Sequence, residues 1–451
     1  MYTSLLCPQC HAALDPPIAT PGGLLCGGCG TNYPALGSIP LLLADPQTKL
    51  LEWSHALRRF VDETNHATSV LLTQLLEEEL SPRAEKRVRL LVDSLPQHRD
   101  SVLSAFAEVD IEPAAAPPST PFAESPASLL AYATLILRDY AWQGEVDEVG
   151  PALALLRSVC PPDVRLGRVL VVGAGTARLA WELALWSHCE EVIAIDINPL
   201  PLLLTQQLVQ GKAVRFWELP GHPRRSTMAA QPRSLHAPAD RPAHLRLMLA
   251  DALKPPFPDQ SFDTVVTPWF IDQVPSNLAE YLPILAGLLK EGGQWLNQGP
   301  LVYDPARTAP AHRYCGDEVM ELVGRAGFSV TQAKYEPATY LVSPVSSQGR
   351  IEHVLTFHAV KTTSPVSSTP PTSTAPDWLT NHSSIPVPSL KHLLGAAHDH
   401  PLLLRLTQIT NGQRTVRELT RALIAEGLVV DDETAEIVVR GGLKVLGRAG
   451  S

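Results

Sequence analysis

The fold is decided by the segment Arg168-Val-Leu-Val-Val-Gly-Ala-Gly-Thr-Ala-Arg-Leu-Ala-Trp-Glu-Leu-Ala184 and by the stretch that closes it, Val192-Ile-Ala-Ile-Asp-Ile-Asn198. The four apolar residues Val169 to Val172 predict a parallel strand that is covered on both faces. Gly173 and Gly175 permit the backbone angles and the close approach of a tight strand-to-helix turn. We therefore expect an α/β fold whose first unit is a strand, a glycine turn, a helix and a second strand.

The glycine turn has the chemistry of a nucleotide-binding site. A helix that begins near Thr176 aims its free N–H groups at whatever lies over the turn. Asp196 follows the last glycine by roughly 20 residues, where a carboxylate accepts hydrogen bonds from ribose hydroxyls. A dinucleotide fingerprint has a third glycine where Arg178 stands, so the pattern disfavours NAD and favours S-adenosylmethionine (SAM). Any α/β domain can use two glycines in such a turn, so this interpretation also depends on the later strands.

Three more strands are expected after residues 218–244, an insertion that lacks apolar periodicity and is expected to be a loop. The third strand, Leu245-Arg-Leu-Met-Leu-Ala-Asp251, ends in an acid and is followed by Ala252; the fourth is Ser261-Phe-Asp-Thr-Val-Val-Thr-Pro-Trp-Phe270. The turn Lys290-Glu-Gly-Gly293 leads into a fifth strand and resembles a recurrent turn of class I SAM-dependent methyltransferases. In that superfamily the acid after the third strand contacts the adenine amine, which implies a cofactor-binding role for Asp251 and Ala252.

Composition limits the classes of partner. The chain has 451 residues with a net charge of -10, which gives no global attraction to nucleic acid or to an anionic membrane. No apolar run is long enough for a spanning helix, and the N-terminus lacks the features of a signal peptide. We expect a cytoplasmic protein with no membrane partner, and the sequence leaves its oligomeric state open.

Four of the seven cysteines form two closely spaced pairs, Cys7-Pro-Gln-Cys10 and Cys26-Gly-Gly-Cys29, with fifteen residues between the pairs. This spacing predicts a zinc ribbon, in which four thiolates leave no open coordination position. The zinc is therefore expected to be structural and to fold the module. The alternative interpretation is a pair of redox dithiols. The remaining cysteines are scattered and are expected to be packing residues.

The chain is expected to contain several folded units, because its length exceeds that of an ordinary single core. Leucine spacing predicts helices in the second segment, and proline-rich breaks predict the linkers. The expected order is a zinc ribbon (1–47), a helical segment (48–111), a linker (112–126), the SAM-dependent methyltransferase domain (127–361), a disordered linker (362–389) and a small helical module (390–451). Thr415 and Glu418 form a plausible capping box in the last module.

Four stretches resemble the carnosine N-methyltransferase family more specifically than the superfamily. They are the motif I helix Arg178-Leu-Ala-Trp-Glu182, the upstream Leu137-Arg-Asp-Tyr140, the segment Phe270-Ile-Asp272 followed by Asn277, and Trp295-Leu-Asn-Gln-Gly-Pro-Leu-Val-Tyr303. The resemblance covers roughly residues 130 to 335. It implies SAM contacts from Arg138 and Arg178 and an acceptor site at Asp272 and Tyr303. The helix that carries Arg138 could instead serve only as core packing.

Two departures from that family fall in the acceptor region. Its histidine near the acceptor aspartate is missing from Gln273-Val-Pro-Ser-Asn277, and Asp304 stands where the family tends to have histidine. The resemblance therefore implies the cofactor half of the site more directly than carnosine as the acceptor. Trp269, Phe270 and Tyr303 are candidates for aromatic walls that favour a sulfonium charge, or are ordinary core residues at strand ends.

Both ends of the chain carry shorter resemblances. Thr31-Asn-Tyr-Pro-Ala-Leu-Gly-Ser-Ile-Pro-Leu-Leu-Leu43 resembles the ending of the zinc-ribbon proteins that activate RNA and protein methyltransferases. That resemblance implies a ribbon that stabilises the enzyme and sometimes shapes its acceptor site. The stretch 406–419 resembles winged-helix-like peptide-binding domains, and a packing or dimerisation module is an equal alternative.

Three functions remain as hypotheses. The first is a SAM-dependent N-methyltransferase for a small imidazole- or amine-containing molecule or peptide, with Asp272 orienting the acceptor. The second is an RNA or protein methyltransferase that uses the ribbon to bind its acceptor, although the acidic balance disfavours RNA. The third is a non-catalytic SAM-binding scaffold, which retention of both glycines and of Asp196, Asp251 and Asp272 disfavours.

Overall fold

The computed structural model divides the chain into two compact units, Met1–Val366 and Ser367–Ser451. It describes residues 5–14, 18–20, 23–114, 130, 132–238, 242–274, 277–362, 405–406, 408–410, 414–429 and 439. Nearly all of the two expected linkers therefore lies outside the described residues. No helix among the described residues is long and apolar enough to cross a membrane.

The described part of the first unit contains thirteen strands and eight α-helices. Its strands are β1 (Ile18–Thr20), β2 (Gly23–Leu25), β3 (Asn32–Leu36), β4 (Ile39–Leu42), β5 (Gly167–Val172), β6 (Cys189–Asp196), β7 (Val214–Glu218), β8 (Gln231–Leu235), β9 (Leu245–Ala250), β10 (Phe262–Pro268), β11 (Leu289–Gly299), β12 (Phe328–Tyr340) and β13 (Arg350–Lys361). Its helices are α1 (Pro46–Glu77), α2 (Pro82–Ala107), α3 (Ala133–Tyr140), α4 (Val149–Arg157), α5 (Arg178–Ala184), α6 (Pro199–Val209), α7 (Leu278–Leu288) and α8 (Gly316–Arg325).

The central sheet has the strand order β9-β6-β5-β10-β11-β13-β12. Its first five strands are parallel, and β13 pairs antiparallel with both of its neighbours. The chain moves outward in one direction from β5 to β6 and β9, then returns to β10 on the other side. The carboxyl ends of β5 and β10 therefore form a topological switch point, where open α/β sheets bind ligands.

Alternating side chains of the parallel strands pack into two apolar layers. Val169 and Val171 belong to the layer that includes α5 and α6, whereas Leu170 and Val172 belong to the layer that includes α7 and α8. This is the geometry of a strand buried on both faces. The expected Rossmann-like methyltransferase sheet with helices on both faces is confirmed.

The N-terminal cysteine module is built into the edge of this sheet. Its strand β4 pairs in parallel with β9, through Leu41 opposite Leu249 and Leu42 opposite Ala250. All four β4 residues are buried, because apolar layers cover both faces of the strand. The module is therefore a structural extension of the catalytic sheet, which then has eleven strands among the described residues.

The helical segment covers one face of the sheet. Asp45 caps α1 by accepting the Thr48 N–H at 3.1 Å, and Ser81 caps α2 by accepting the Ala84 N–H at 3.3 Å. Trp53 of α1 and Phe106 of α2 are buried in the same layer as Val169 and Val171. The two predicted helices are thus part of the main core.

The expectation of a loop at 218–244 was wrong. The segment contains β8, which pairs antiparallel with β7. Arg233 of β8 lies 2.7 Å from the buried carboxylate of Glu218, and the Ser343 hydroxyl also donates to Glu218. The five residues of β8 include a proline and an arginine and carry too little apolar periodicity to be recognised in the sequence.

In the second unit, α9 (Val416–Ala425) begins with the capping box expected at Thr415 and Glu418. The Glu418 carboxylate accepts the Thr415 N–H at 2.8 Å, and the Thr415 hydroxyl accepts the Glu418 N–H at 3.4 Å. The winged-helix-like interpretation of this module stays a prediction, because most of the tail lies outside the described residues.

Candidate active site

The two glycines of the turn adopt left-handed backbone angles, with φ of +65° at Gly173 and +54° at Gly175. A Cβ atom added to Gly173 would lie 2.5 Å from the Phe270 ring, which comes directly after β10. The Gly175 N–H donates to Asp196 Oδ2 at 2.7 Å. The turn therefore needs glycine both for its backbone angles and for the approach of an aromatic side chain.

Asp196 lies at the end of β6 and is almost completely buried. Its second oxygen, Oδ1, accepts the Asn198 N–H at 2.8 Å, and burial raises the pKa of this carboxyl. Each oxygen retains a lone pair that could accept a ribose hydroxyl. The negative charge of Asp196 is also the main cause of a raised pKa at Tyr132, whose ring borders Gly175.

A buried polar network connects α3 to the glycine turn. Arg138 Nε lies 2.7 Å from Asp139 Oδ1, and the Thr176 hydroxyl donates to Asp139 Oδ2. The Tyr140 hydroxyl donates to the Thr176 carbonyl at 2.8 Å. The predicted α3 helix thus lies directly against the turn.

The Arg178 guanidinium takes part in the same network. It forms an ion pair with Glu182 at 2.5 Å and donates to the Asp139 carbonyl at 2.9 Å. These contacts tie α5 to α3, so a contact between Arg178 and a cofactor stays a prediction.

The end of β9 provides a second polar region. Asp251 Oδ1 accepts the Leu253 N–H at 2.9 Å, and Ala252 is buried. The buried Tyr281 hydroxyl has no hydrogen-bond partner among the described residues. Burial, followed by the charge of Asp251, raises the pKa of Tyr281, so both groups lie in one region. Tyr281 is an addition to the predicted site.

The predicted acceptor residues Asp272 and Tyr303 lie together after β10 and β11. Asp272 is 3% exposed, and its Oδ2 accepts the Val302 N–H at 3.1 Å. Within the described part of the chain, neither Asp272 Oδ1 nor the Tyr303 hydroxyl has a hydrogen-bond partner, although both atoms are buried. Burial raises the pKa of Asp272 to about 6, and both burial and the Asp272 charge raise that of Tyr303.

Two aromatic residues, Trp269 and Phe270, closely precede Asp272 in the chain, and each packs against a tyrosine. Trp269 has a left-handed φ of +48° and stacks on Tyr340 with 5.9 Å between ring centroids. The Arg138 guanidinium lies 5.7 Å from the centroid of the Tyr340 ring. Phe270 meets Tyr281 edge-on at 5.3 Å. Tyr340 therefore connects the region of Arg138 with the acceptor region.

The backbone after Tyr340 is held by a single buried carboxylate. Glu148 accepts the Leu341 N–H at 3.0 Å and the Val342 N–H at 2.7 Å. Leu341 has a left-handed φ of +54°, an unfavourable angle for a leucine. Glu148 thus fixes the position of the aromatic wall.

Sequence reasoning missed Tyr132, Asp139, Glu148, Tyr281 and Tyr340 as candidate site residues. Asp139 lies within the stretch 137–140 that resembles the family, and its position before an aromatic residue is the available signal. The other four reach the site only through long-range folding.

The four N-terminal thiols converge, with their sulfur atoms all within 4.8 Å of one another. The Cys7–Cys29 and Cys10–Cys26 sulfur pairs are each 3.6 Å apart, close to the edge of about 3.8 Å expected for a zinc tetrahedron with bonds of about 2.3 Å. The Tyr33 hydroxyl lies 3.0 Å from the Cys7 sulfur, and Thr31 lies 3.2 Å from that of Cys29. The thiols have the geometry and outer contacts that a tetrahedrally coordinated ion requires.

Cys315, expected to be a packing residue, is exposed at the start of α8.

Parts of the chain are similar to known proteins. Residues 224–363 match the model of the carnosine N-methyltransferase family. A carnosine N-methyltransferase from Dictyostelium discoideum is 26% identical over 188 residues, which cover 38% of this chain and 40% of that protein. Two solved structures show a weak likeness. A SAM-dependent methyltransferase from Aquifex aeolicus is 13% identical with a TM-score of 0.32, and the match covers 53% of this chain and 99% of that one. Phosphoethanolamine N-methyltransferase 2 from Haemonchus contortus is 16% identical with a TM-score of 0.31, and the match covers 48% of this chain and 53% of that one. Residues 224–363 are therefore similar to the carnosine N-methyltransferase family, and the match spans less than half of the length of that relative.

Proposed function

We propose that the protein is a SAM-dependent methyltransferase that methylates a nitrogen of a small imidazole- or amine-containing molecule or of a peptide. The family match supports the reaction class. The single observation that carries the acceptor assignment is the buried, unpartnered Asp272 Oδ1 beside the unpartnered Tyr303 hydroxyl. Buried polar atoms without partners are rare in native proteins, and a bound ligand accounts for them.

The turn between β5 and α5 is suited to the cofactor. Its two glycines adopt left-handed backbone angles that a tight turn requires, and Asp196 would accept hydrogen bonds from the ribose hydroxyls. Asp251 and the Tyr281 hydroxyl would face the adenine. When bound, SAM supplies a methyl carbon that is activated by a sulfonium.

The chain's own residues must hold the acceptor nitrogen about 3 Å from that carbon and exclude water. A neutral imidazole carries a lone pair on one nitrogen and an N–H on the other. Asp272 Oδ1 would accept the N–H, which fixes the tautomer and directs the lone pair at the methyl group. With a pKa of about 6, Asp272 is mostly ionised at neutral pH, as this role requires.

The acceptor class is wider than carnosine in this proposal. Asp304, which replaces the family's usual histidine, is exposed and accepts the Ala306 N–H at 2.8 Å. The chain would therefore recognise its acceptor through Asp272 and Tyr303 without the two histidines that the family resemblance implies.

We also propose that Cys7, Cys10, Cys26 and Cys29 hold a structural zinc ion. The extension of the sheet by β4 supports a stabilising role for the zinc ribbon, since its strand and apolar residues are used in packing. An RNA or protein acceptor held by the ribbon would need a ribbon surface outside these contacts.

The test uses purified protein, methyl-labelled SAM and a cell extract that is separated into small molecules, peptides and proteins, and RNA. We expect label in the small-molecule or peptide fraction, and Asp272→Ala is expected to lose turnover while it retains SAM affinity. Label in RNA alone would exclude this acceptor class. SAM binding without any transfer would favour the scaffold hypothesis, and full turnover by Asp272→Ala would remove the proposed role of that residue.

A further inference from the structure

A groove with strongly basic walls lies between the start of α2 and the turn that follows β7. It has a volume of about 640 Å³, and its charged lining residues are Arg83, Arg87, Arg224 and Arg225. No carboxylate lies among the described residues that line it. All four arginines are exposed in a chain whose net charge is -10.

Three other exposed helical arginines among the described residues are paired with acids. Arg58, Arg89 and Arg325 each reach an Asp or Glu one helical turn away, at 2.7 to 3.2 Å. In contrast, Arg83 and Arg87 form no salt bridge with any described residue. Like charges that are held together without a counter-charge repel one another, which favours an anionic occupant.

The wall opposite α2 is rigid. The Arg224 N–H donates to the Val345 carbonyl at 2.9 Å, and Arg224 Nε donates to the Ser346 carbonyl at 2.7 Å. The Ser347 N–H donates to the His222 carbonyl at 2.8 Å. An anion that binds here would therefore meet arginines whose backbone is already in place, which lowers the entropic cost of binding.

The lining favours a peptide over a nucleic acid. Guanidinium groups bind carboxylates in a bidentate manner, and Arg83 and Arg87 lie about 6 Å apart as neighbours on one helix face. Alternate side chains of an extended peptide are separated by about 7 Å, which matches that spacing. Sites for single-stranded nucleic acid also need aromatic side chains for base stacking, and the described lining residues include no Phe, Tyr or Trp.

The groove is connected to the acceptor region by a short stretch of chain. Tyr340 forms the aromatic wall there, and Ser347 lines the groove seven residues later. Seven residues span at most about 25 Å, so an extended peptide of similar length could reach both places.

We propose that this groove binds an acidic segment of a peptide and that the methyl acceptor is a peptide or protein that carries carboxylates at a distance from its methylated nitrogen. The second half of this inference rests on the proposed methyl transfer. The first half, binding of the acidic segment, does not.

The test measures fluorescence anisotropy of a labelled peptide with alternating Glu and Gly, with the full-length protein at about 50 mM salt, where charge interactions are weakly screened. The Gln–Gly peptide and a single-stranded RNA of equal charge serve as comparison probes. The double variant Arg83→Glu/Arg87→Glu reverses two positive charges of the groove at exposed positions. Lys86→Glu is the matched control, because Lys86 is exposed on the same helix and does not line the groove.

We expect the Glu peptide alone to bind, with affinity at least about tenfold weaker in the double variant and unchanged in Lys86→Glu. Absence of Glu-peptide binding, equal losses in both variants, or tighter binding of RNA would overturn the inference. Transfer of label to an imidazole peptide with an acidic tail, compared with the same peptide without it, then tests the acceptor half. Normal Glu-peptide binding with no methyl transfer to either peptide would contradict the proposed function. It would still support the groove as a binding site for an acidic peptide segment.

Discussion

The burial of Asp272 lowers the stability of the folded protein and leaves one carboxylate oxygen open to a ligand. It is buried, only one of its oxygens accepts a hydrogen bond from the described chain, and its pKa is raised to about 6. An acid whose pKa rises on folding destabilises the folded protein when it ionises. The destabilisation therefore develops between about pH 4 and pH 6 and is complete above pH 7.

Asp272→Asn is expected to be more stable than the wild type, by a margin that grows with pH. From the cited pKa of about 6, the margin should increase by about 2 kcal/mol between pH 4.5 and pH 7.5. Urea denaturation of both proteins at these two pH values measures it. Asp304→Asn, a change of an exposed acid in the same region, is the comparison variant. If the stability difference between Asp272→Asn and the wild type does not depend on pH, burial does not raise the pKa of the Asp272 carboxyl.

Gly173 is the residue at which the turn tolerates substitution least. Gly173→Ala would force a left-handed alanine and place a methyl group against the Phe270 ring. We expect a loss of about 1–3 kcal/mol in stability and of at least about tenfold in SAM affinity. Calorimetric titration with SAM and thermal denaturation measure both. The control is Gly324→Ala within α8, where an added Cβ meets no atom within 4 Å; if the two variants behave alike, the glycine turn is not the cofactor site.

At the scale of elements, the N-terminal cysteine module, the proposed zinc ribbon, forms an edge of the central sheet. Beyond the β4–β9 pairing, the Leu6 N–H donates to the Pro256 carbonyl at 3.0 Å, and Gln206 Nε2 donates to the Ser38 hydroxyl at 2.6 Å. Unfolding the ribbon would expose the edge of β9 and the apolar layers on both sides of it.

Loss of zinc is therefore expected to destabilise the catalytic sheet as well as the ribbon. Cys26→Ser should lower zinc content from one ion per chain and lower the Tm by about 5 °C or more, as the loss of a few kcal/mol does in a unit of this size. Elemental analysis and thermal denaturation provide the two readouts. Cys189→Ser, outside the cluster, should retain both values. Full-length protein that contains no zinc, with an unchanged Tm in Cys26→Ser, would contradict this role.

The Glu148 carboxylate connects α4 to the end of β12, next to the aromatic wall. In Glu148→Gln one of the two backbone N–H groups would face an amide donor and lose its acceptor, at a cost of about 1–3 kcal/mol. We expect KM for the acceptor to rise severalfold with little change in the Kd for SAM. Glu145→Gln, which breaks a half-exposed ion pair with Arg233, is the comparison. If Glu148→Gln changes the KM for the acceptor and the Kd for SAM equally, Glu148 contributes only to the general stability of the protein.

At the scale of the whole molecule, the sequence predicts what local pattern encodes. The glycine turn, the apolar strands and the cysteine spacing each lie within a short stretch, and the fold and the convergence of the cysteines are confirmed. The site network depends on contacts that no local pattern contains. Thr176 and Asp139 are 37 residues apart, and Leu341 and Glu148 are 193 residues apart. The pairing of β4 with β9 likewise joins distant segments, because any exposed strand edge can accept a strand from elsewhere in the chain.

We propose that the chain transfers a methyl group from SAM to a nitrogen that Asp272 orients. The most direct test is incubation of the protein with methyl-labelled SAM and a panel of imidazole peptides, followed by NMR assignment of the methylated atom. We predict one ring nitrogen methylated with high selectivity by the wild type, and loss of both rate and selectivity in Asp272→Ala at unchanged SAM affinity. Transfer to oxygen or carbon, or equal methylation of both ring nitrogens by the wild type, would contradict the account.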